Sequence, residues 1–257
     1  MTKRSQLQDT DHKVASLGLK NQTEPELLQT LLSVADWSQP QKDYIMASYE
    51  LGRNVHAHDT HRGDPYITHC LRVAARVAGY LRVHDEEVVA AAILHDSVED
   101  HPDYIVDHLQ HSPTSSNVCC GLTGRECQAL ERMSERFSSR TARIVALATN
   151  PPQLNRPDAG LEQKLAAYSD KVEQATRSPE GWMVKFSDWC DNGVGVIYGE
   201  HLISTDRSRY FRTKYGHVLD VFKRRFECSD LQQLLDTEAK VYVRQQLRLA
   251  RRRLITS

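Results

Sequence analysis

The chain has 257 residues, with 33 Lys+Arg against 34 Asp+Glu, 12 His and a formal net charge of −1. A hydrophobic fraction of 40% beside a charged fraction of 26% describes a folded globular chain and excludes wholesale disorder. The near-neutral balance gives no overall attraction to nucleic acid. The longest strong apolar run, Val88 to Leu94, is far short of the roughly 20 residues that cross a bilayer. The first twenty residues hold no apolar signal core, so the expectation is a cytoplasmic protein that does not bind membranes. One feature stands out: nine of the twelve histidines lie between His56 and His111.

Helical spacing dominates from the start of the chain. Leu27, Leu28, Leu31, Leu32 and Ala35 form one stripe, and Tyr44, Ile45, Ser48, Leu51 and Val55 a second. Asp64-Pro65 predicts a helix start, with Asp as cap and Pro at the first helical position. Ile67, Leu71, Ala74, Ala75, Ala78 and Leu81 follow it at helical intervals. Asp85-Glu86-Glu87 opens the next helix, acids in the first turn suiting its dipole. The run from Val88 to Leu94 then predicts a buried, central helix. Residues 111–124 are a loop by composition. One helix is predicted from about 126 to 148, stopped by Asn150-Pro151-Pro152. Residues 153–160 form another loop, and helical patterns resume at 161–174, at 182–198 and across the last fifty residues. Strand signals are scarce. The reading is all-α, a compact helical bundle in a single domain over 1–257. Within it, 1–40 is an N-terminal extension, 41–200 the core and 201–257 C-terminal helices.

The six cysteines form no CxxC pair, so they are read as reduced thiols, some of them core residues. Charge is uneven. No Lys or Arg occurs between Arg82 and Arg125, where eight Asp/Glu fall. Lys240, Arg244, Arg248 and Arg251 to Arg253 form a basic end, read as a solvated helical face.

His95-Asp96 ends the apolar run, and Glu99-Asp100 follows. At roughly 100° per residue these four share one side of one helix. Four ionisable groups at the end of a buried helix are costly unless solvated, paired or metal-bound. His69 sits one turn into the preceding helix, and Asp188 interrupts an apolar and aromatic stretch, GWMVKFSDWCDN. Two imidazoles and two carboxylates suit a divalent transition metal such as Mn²⁺, Fe²⁺ or Zn²⁺ better than Ca²⁺. The residue types leave the choice among them open.

RGDPYITH (Arg62 to His69), AAILHDSVED (Ala91 to Asp100) and VKFSDWCDN (Val184 to Asn192) carry a family resemblance. In order and spacing they resemble the H…HD…D signature of the HD-domain metal-dependent phosphohydrolases. They look most like the hydrolase domain of the RelA/SpoT proteins and the small stand-alone alarmone hydrolases, over about residues 41–200. The resemblance implies a helical bundle of the HD-domain type. It implies hydrolysis of the 3′-pyrophosphate of guanosine tetra- or pentaphosphate (ppGpp or pppGpp), giving GDP or GTP and pyrophosphate, with Mn²⁺ as cofactor. By carry-over, His69, His95, Asp96 and Asp188 hold the metal. Glu99 and Asp100 position or activate water, while Asn192 lines the nucleotide site; the family's basic contact there falls in this chain to Arg62 or His61. Lys185, three residues before Asp188, either faces a phosphate or snorkels to water. Of the other histidines, His56, His58, His84, His101, His108 and His111 are read as solvated or helix-end residues.

The chain also departs from the family pattern. Thr60 and His61 stand where basic residues are usual, Cys70 follows His69 in place of Pro, and Val194 replaces a common basic residue. A second reading is therefore an HD phosphohydrolase for another nucleotide: a dNTP, a nucleoside monophosphate or the 2′-phosphate of NADPH. A third is a catalytically silent nucleotide-binding module, motivated by the long 101–140 segment and the basic end. That segment is read as a tolerated insertion. No synthetase or regulatory domain is expected to follow, which favours a stand-alone hydrolase. The oligomeric state has no signal in the sequence.

Overall fold

The computed structural model describes residues 18–110, 122, 124–150, 160–194 and 204–255. The expected loop at 153–160 lies, but for Gly160, outside the described residues, as does most of that at 111–124.

The described chain is all-α apart from one two-stranded hairpin. Helix α1 (Glu24–Ser33) starts at a capping box in which Glu26 Oε2 accepts from the Thr23 N–H at 2.7 Å, satisfying a donor that the helix itself cannot. Helix α2 (Gln39–Val55) repeats the device with Ser38 and Gln41. Helix α3 (Tyr66–Ala75) continues into a π turn, Arg76–Tyr80. Helix α4 (Glu86–Ile93) is capped by Asp85, whose carboxylate accepts from the Glu87 and Val88 N–H groups. Val88 to Ile93 are all at or below 1% exposure, so α4 is the central helix of the bundle. Gly52 permits the close crossing of α2 over it: a Cβ there would lie 3.3 Å from Ile93 Cγ2.

Short helices α5 (Ser97–Asp100) and α6 (Pro102–His108) lead to α7 (Arg125–Arg136) and α8 (Ser139–Ala148). Then come α9 (Leu161–Ala175) and α10 (Pro179–Trp189), the latter continued by a π turn, Cys190–Val194. The C-terminal part contains α11 (Thr205–His217), α12 (Leu219–Phe226), α13 (Ser229–Leu234) and α14 (Thr237–Ala250), which ends in a third π turn, Arg251–Ile255.

Two apolar clusters organise these elements. One surrounds α4 and is built from aliphatic residues such as Leu27, Leu31, Ile45, Leu71, Ile93 and Leu130. The other is aromatic, with Trp182, Phe186, Trp189, Phe222 and Phe226 in mutual ring contact. Helix α10 belongs to both, through Val184 on one side and its aromatics on the other. A polar site carried by α3, the turn after α4 and α10 is therefore walled by packed side chains, and its geometry is held by both clusters.

Four sequence expectations need correction. Asp64-Pro65 does not cap α3; it pairs antiparallel with Thr60-His61, and Pro65 stands at the N-cap with no side-chain bond. The 126–148 helix is two helices, because the Ser138 hydroxyl accepts from the Thr141 N–H at 3.0 Å and starts α8 afresh, as a local Ser cap competes with helix continuation. Helix α4 ends at Ile93, so His95 and Asp96 occupy a turn before α5 and do not share one helix with Glu99 and Asp100. Among the described cysteines Cys70, Cys190 and Cys228 are free, but Cys127 is disulfide-bonded.

Candidate active site

The break after Leu94 turns the backbone so that the His95 and Asp96 side chains meet His69 from α3. His69 Nε2 lies 3.7 Å from Asp96 Oδ2 and 3.5 Å from Asp188 Oδ1. His95 Nε2 lies 2.9 Å from Asp96 Oδ2 and 3.7 Å from Asp188 Oδ1. Residues 69, 95, 96 and 188, from three separate stretches of sequence, thus converge on one point. Both imidazoles are fully buried, and neither Nε2 atom makes a hydrogen bond. Buried polar atoms left without a partner are rare. Two buried imidazole nitrogens facing two carboxylates, with no hydrogen bond made by either nitrogen, fit a divalent cation, and His69, His95 and Asp96 form a group able to hold one.

The outer contacts fix this orientation. The His95 Nδ1–H donates to the Ala92 carbonyl at 2.9 Å. His69 Nδ1 meets Asp191 Oδ2 at 2.9 Å. Each bond occupies one ring nitrogen and leaves Nε2 to point inward, the arrangement that sets the tautomer of metal-binding histidines. Tyr66 donates its hydroxyl to Asp96 Oδ2 at 2.7 Å, and Asn192 Nδ2 donates to Asp188 Oδ1 at 2.5 Å.

Charge is balanced within the cluster. Burial works to raise the carboxyls of Asp96 and Asp188, and the facing imidazoles more than offset it, holding both below the usual carboxylate range. Burial likewise works against the charged imidazoles, yet the carboxylates outweigh it: His95 is pushed up to about 9, with Asp96 the largest opposing influence, and His69 is also raised. Without a metal, protons play the cation's part.

Glu99 and Asp100 flank this cluster. Glu99 is pinned by the Asn150 backbone N–H at 2.8 Å and the Asn150 Nδ2 at 3.2 Å. Its pKa is raised, first by burial and then by the Asp96 charge. Asp100 is pushed up to about 7 by burial, then by Asp96 and Glu99. A carboxyl near neutrality is suited to giving and taking a proton.

The remaining expected residues are placed as follows. Lys185 does not snorkel; it is 2% exposed, with Nζ 3.6 Å from Asp188 Oδ2. Asn192 Oδ1 and His61 Nε2 are 3.0 Å apart, and the His61 ring leans on that of His69 at 4.5 Å. Burial, then the neighbouring His69, push His61 down to about 3, so it is a neutral ring. Arg62 donates to the Asn192 carbonyl at 2.9 Å. His56, at the C-terminal end of α2, is buried; it bonds Asp59 and stacks on Tyr66 at 4.5 Å.

Sequence reasoning missed Asp191. It is 1% exposed and accepts from Arg72 Nε at 3.1 Å and Arg76 Nη2 at 3.3 Å, besides holding His69. The signal was present: Arg72 and Arg76 follow His69 by three and seven positions on an otherwise apolar helix, where a buried cation requires a carboxylate. Lys214 was missed as well. Its ammonium lies 4.5 Å from the Tyr168 ring centre, and its pKa is lowered by burial and then by Lys185, a second cation beside the cluster.

A helical bundle with a His, His-Asp and Asp cluster across three stretches defines a class of protein. The family model for the HD domain matches residues 48–177, and the chain belongs to that family. It is similar to the guanosine-3′,5′-bis(diphosphate) 3′-pyrophosphohydrolase MESH1 of Danio rerio, 30% identical over 155 residues, which are 53% of this chain and 84% of that protein. A guanosine-3′,5′-bis(diphosphate) 3′-pyrophosphohydrolase of Aquifex aeolicus (strain VF5) is 26% identical over 149 residues, 58% of this chain but 17% of that longer protein. A solved structure described as a metazoan ortholog of SpoT that hydrolyzes ppGpp superposes with a TM-score of 0.55 at 16% identity. It covers 86% of this chain and 100% of its own, a likeness of fold.

Proposed function

We infer that this chain is a metal-dependent 3′-pyrophosphohydrolase of ppGpp and pppGpp, releasing pyrophosphate and leaving GDP or GTP. The observation that carries the reading is the convergence of the buried Nε2 atoms of His69 and His95 on the Asp96 and Asp188 carboxylates, in a chain similar to relatives named for that activity. His69, His95, Asp96 and Asp188 would hold the ion. When bound, a divalent cation such as Mn²⁺ neutralises phosphate charge and makes water acidic enough to react near neutral pH.

The chain's own residues supply the rest. Asp100, with its carboxyl near neutrality, takes a proton from the water that attacks phosphorus and passes it on to the 3′-oxygen as the bond from that oxygen to phosphorus breaks. Glu99, fixed by Asn150, orients that water. Lys185 and Lys214 place positive charge beside the carboxylates, where a pyrophosphate group needs it. Asn192 ties Asp188 to the His61 side of the site. Cytoplasmic residence belongs to the same proposal. No described helix is long and apolar enough to cross a membrane.

A second reading, hydrolysis of another nucleotide, is favoured by one observation. His61 is neutral and Arg62 is engaged by the Asn192 carbonyl, so the hairpin offers little free charge to a 3′-phosphate. A panel of ppGpp, dNTPs, nucleoside monophosphates and NADPH separates the two, assayed with Mn²⁺ for pyrophosphate, phosphate and triphosphate. Pyrophosphate from ppGpp supports the first reading. Phosphate or triphosphate release from another member, with ppGpp intact, replaces it with the second.

A further inference from the structure

Two histidines that the site leaves aside, His56 and His101, meet at a carboxylate of their own. His56 lies at the C-terminal end of α2, Asp59 in the turn that leads into the hairpin, and His101 between α5 and α6. His56 Nδ1 is 2.8 Å from Asp59 Oδ2, and His101 Nε2 is 2.6 Å from the same oxygen. One nitrogen or oxygen from each residue lies within 4.8 Å of the other two.

The three residues differ in burial, and the difference suits an ion site. The His56 side chain is fully buried, whereas those of Asp59 and His101 are 31% and 36% exposed. A fixed imidazole therefore stands behind two groups that can move and that water can reach. His56 is fixed by stacking on Tyr66, with centroids 4.5 Å apart and planes 19° apart. Its Nε2 makes no hydrogen bond among the described residues, so no bond opposes the tautomer that carries the proton there and offers the Nδ1 lone pair to an ion. The surroundings favour a cation. His101 belongs to the stretch between Arg82 and Arg125 that has eight Asp/Glu and no Lys or Arg, and the negative charge of Asp96 acts on the His56 ring.

No residue is shared with the cluster of His69, His95, Asp96 and Asp188. Tyr66 stands between the two groups. It stacks on His56, meets the His69 ring edge-on at 5.6 Å, and donates its hydroxyl to Asp96. Two imidazoles and one carboxylate form a donor set found in zinc sites that keep a position for water. Bonds of about 2.0–2.2 Å to zinc set tetrahedral donors roughly 3.3 Å apart, so the two nitrogens need to open from Asp59 by only about 0.5–0.7 Å. The part-exposed Asp59 and His101 can make that adjustment while His56 stays in place.

We propose that His56, Asp59 and His101 form a second metal site, which takes Zn²⁺ through His56 Nδ1, Asp59 Oδ2 and His101 Nε2, with water completing the shell. Each ring keeps one proton, on the nitrogen that faces away from the ion. Zinc is preferred over Mn²⁺ and Fe²⁺, because divalent ions follow that order of affinity at nitrogen and oxygen donors.

The test is a count of zinc per folded chain. The full chain is stripped with a chelator, dialysed against Zn²⁺ and then against buffer, and its zinc is measured by mass spectrometry. Wild type is expected to hold one ion more than His101→Gln or Asp59→Asn, both exchanges at part-exposed side chains. Asp188→Asn, on the other cluster, keeps that ion, and a double variant with His101→Gln holds one fewer than Asp188→Asn alone. In zinc titration His101→Gln weakens the site by at least about a hundredfold, since losing an outer partner alone costs about 10–100-fold. Equal zinc counts in wild type, His101→Gln and Asp59→Asn overturn the proposal, as does a double variant that holds as much zinc as Asp188→Asn. The count does not depend on which nucleotide is hydrolysed, so its outcome is separate from that of the hydrolase reading.

Discussion

Replacing Asp191 with Asn removes one negative charge from a position 1% exposed, with almost no change in volume. Arg72 and Arg76, each 6% exposed, then lose the carboxylate that they share. Removing one side of a buried ion pair costs roughly 3–5 kcal/mol, against a total stability on the order of 5–15 kcal/mol. The same change weakens the hold on His69. An Asn oxygen still accepts from Nδ1, but without the charge that favours the inward-facing tautomer. Loss of such an outer partner lowers metal affinity by about 10–100-fold. Asp191→Asn is therefore expected to lose roughly 3–5 kcal/mol in urea unfolding of the metal-free protein and at least tenfold in Mn²⁺ affinity. Because Asp191 is separated from the Nε2 face by the imidazole ring, the two losses arise without removing any of the four residues that would hold the metal. Unfolding free energy within about 0.5 kcal/mol of wild type, together with unchanged Mn²⁺ affinity, would refute the buttress.

Three further outcomes follow from the same geometry. His95 is raised to about 9 from an ordinary value of 6.5, so its protonated form stabilises the metal-free protein fully below about pH 6.5. That contribution disappears as pH rises through 9, and metal-free stability should fall across this window in pH-stepped unfolding. Mn²⁺ must displace those protons, so its affinity rises with pH, by up to about tenfold per unit for each proton released; a flat profile contradicts this. Lys214→Met removes a cation near Glu99 and Asp188 and should raise the KM for ppGpp by about tenfold with Mn²⁺ affinity unchanged, read by steady-state kinetics and metal titration. Gly181→Ala would put a Cβ 2.2 Å from the Ala175 carbonyl oxygen, and should cost at least roughly 1–3 kcal/mol. Gly160→Ala, with nothing among the described residues within 4 Å of the added Cβ, should cost under about 0.5 kcal/mol; thermal melts compare the pair.

The legible parts of the molecule were those written in short stretches of sequence. The apolar run Val88 to Leu94 marked the central helix because a helix buried on all sides must be apolar all round. His69, His95, Asp96 and Asp188 were visible as ionisable groups at the edges of apolar segments. What escaped is non-local or depends on a turn. The helix end at Ile93 is hidden because the apolar pattern runs on through Leu94 into His95. The Ser138 start of α8 is a choice between two hydrogen-bonding patterns that periodicity does not register. Asp191 answers residues 69, 72 and 76, more than a hundred positions earlier. Lys20 and Arg62 come from a short N-terminal helix and from the hairpin, and each alone reads as a surface charge. Arg72 and Arg76 were the exception, since buried cations on an apolar helix announce a partner.

The central claim is that His69, His95, Asp96 and Asp188 hold a metal for hydrolysis of the 3′-pyrophosphate. It is tested most directly by the rate of pyrophosphate release from ppGpp, measured with Mn²⁺ for wild type beside Asp188→Asn, a variant that keeps the volume of the site. The account predicts steady release of pyrophosphate with GDP as co-product by wild type, and a rate lower by roughly a thousandfold, about 4 kcal/mol of barrier, in the variant. Intact ppGpp in the wild-type reaction, or an Asp188→Asn rate within tenfold of it, would contradict the claim.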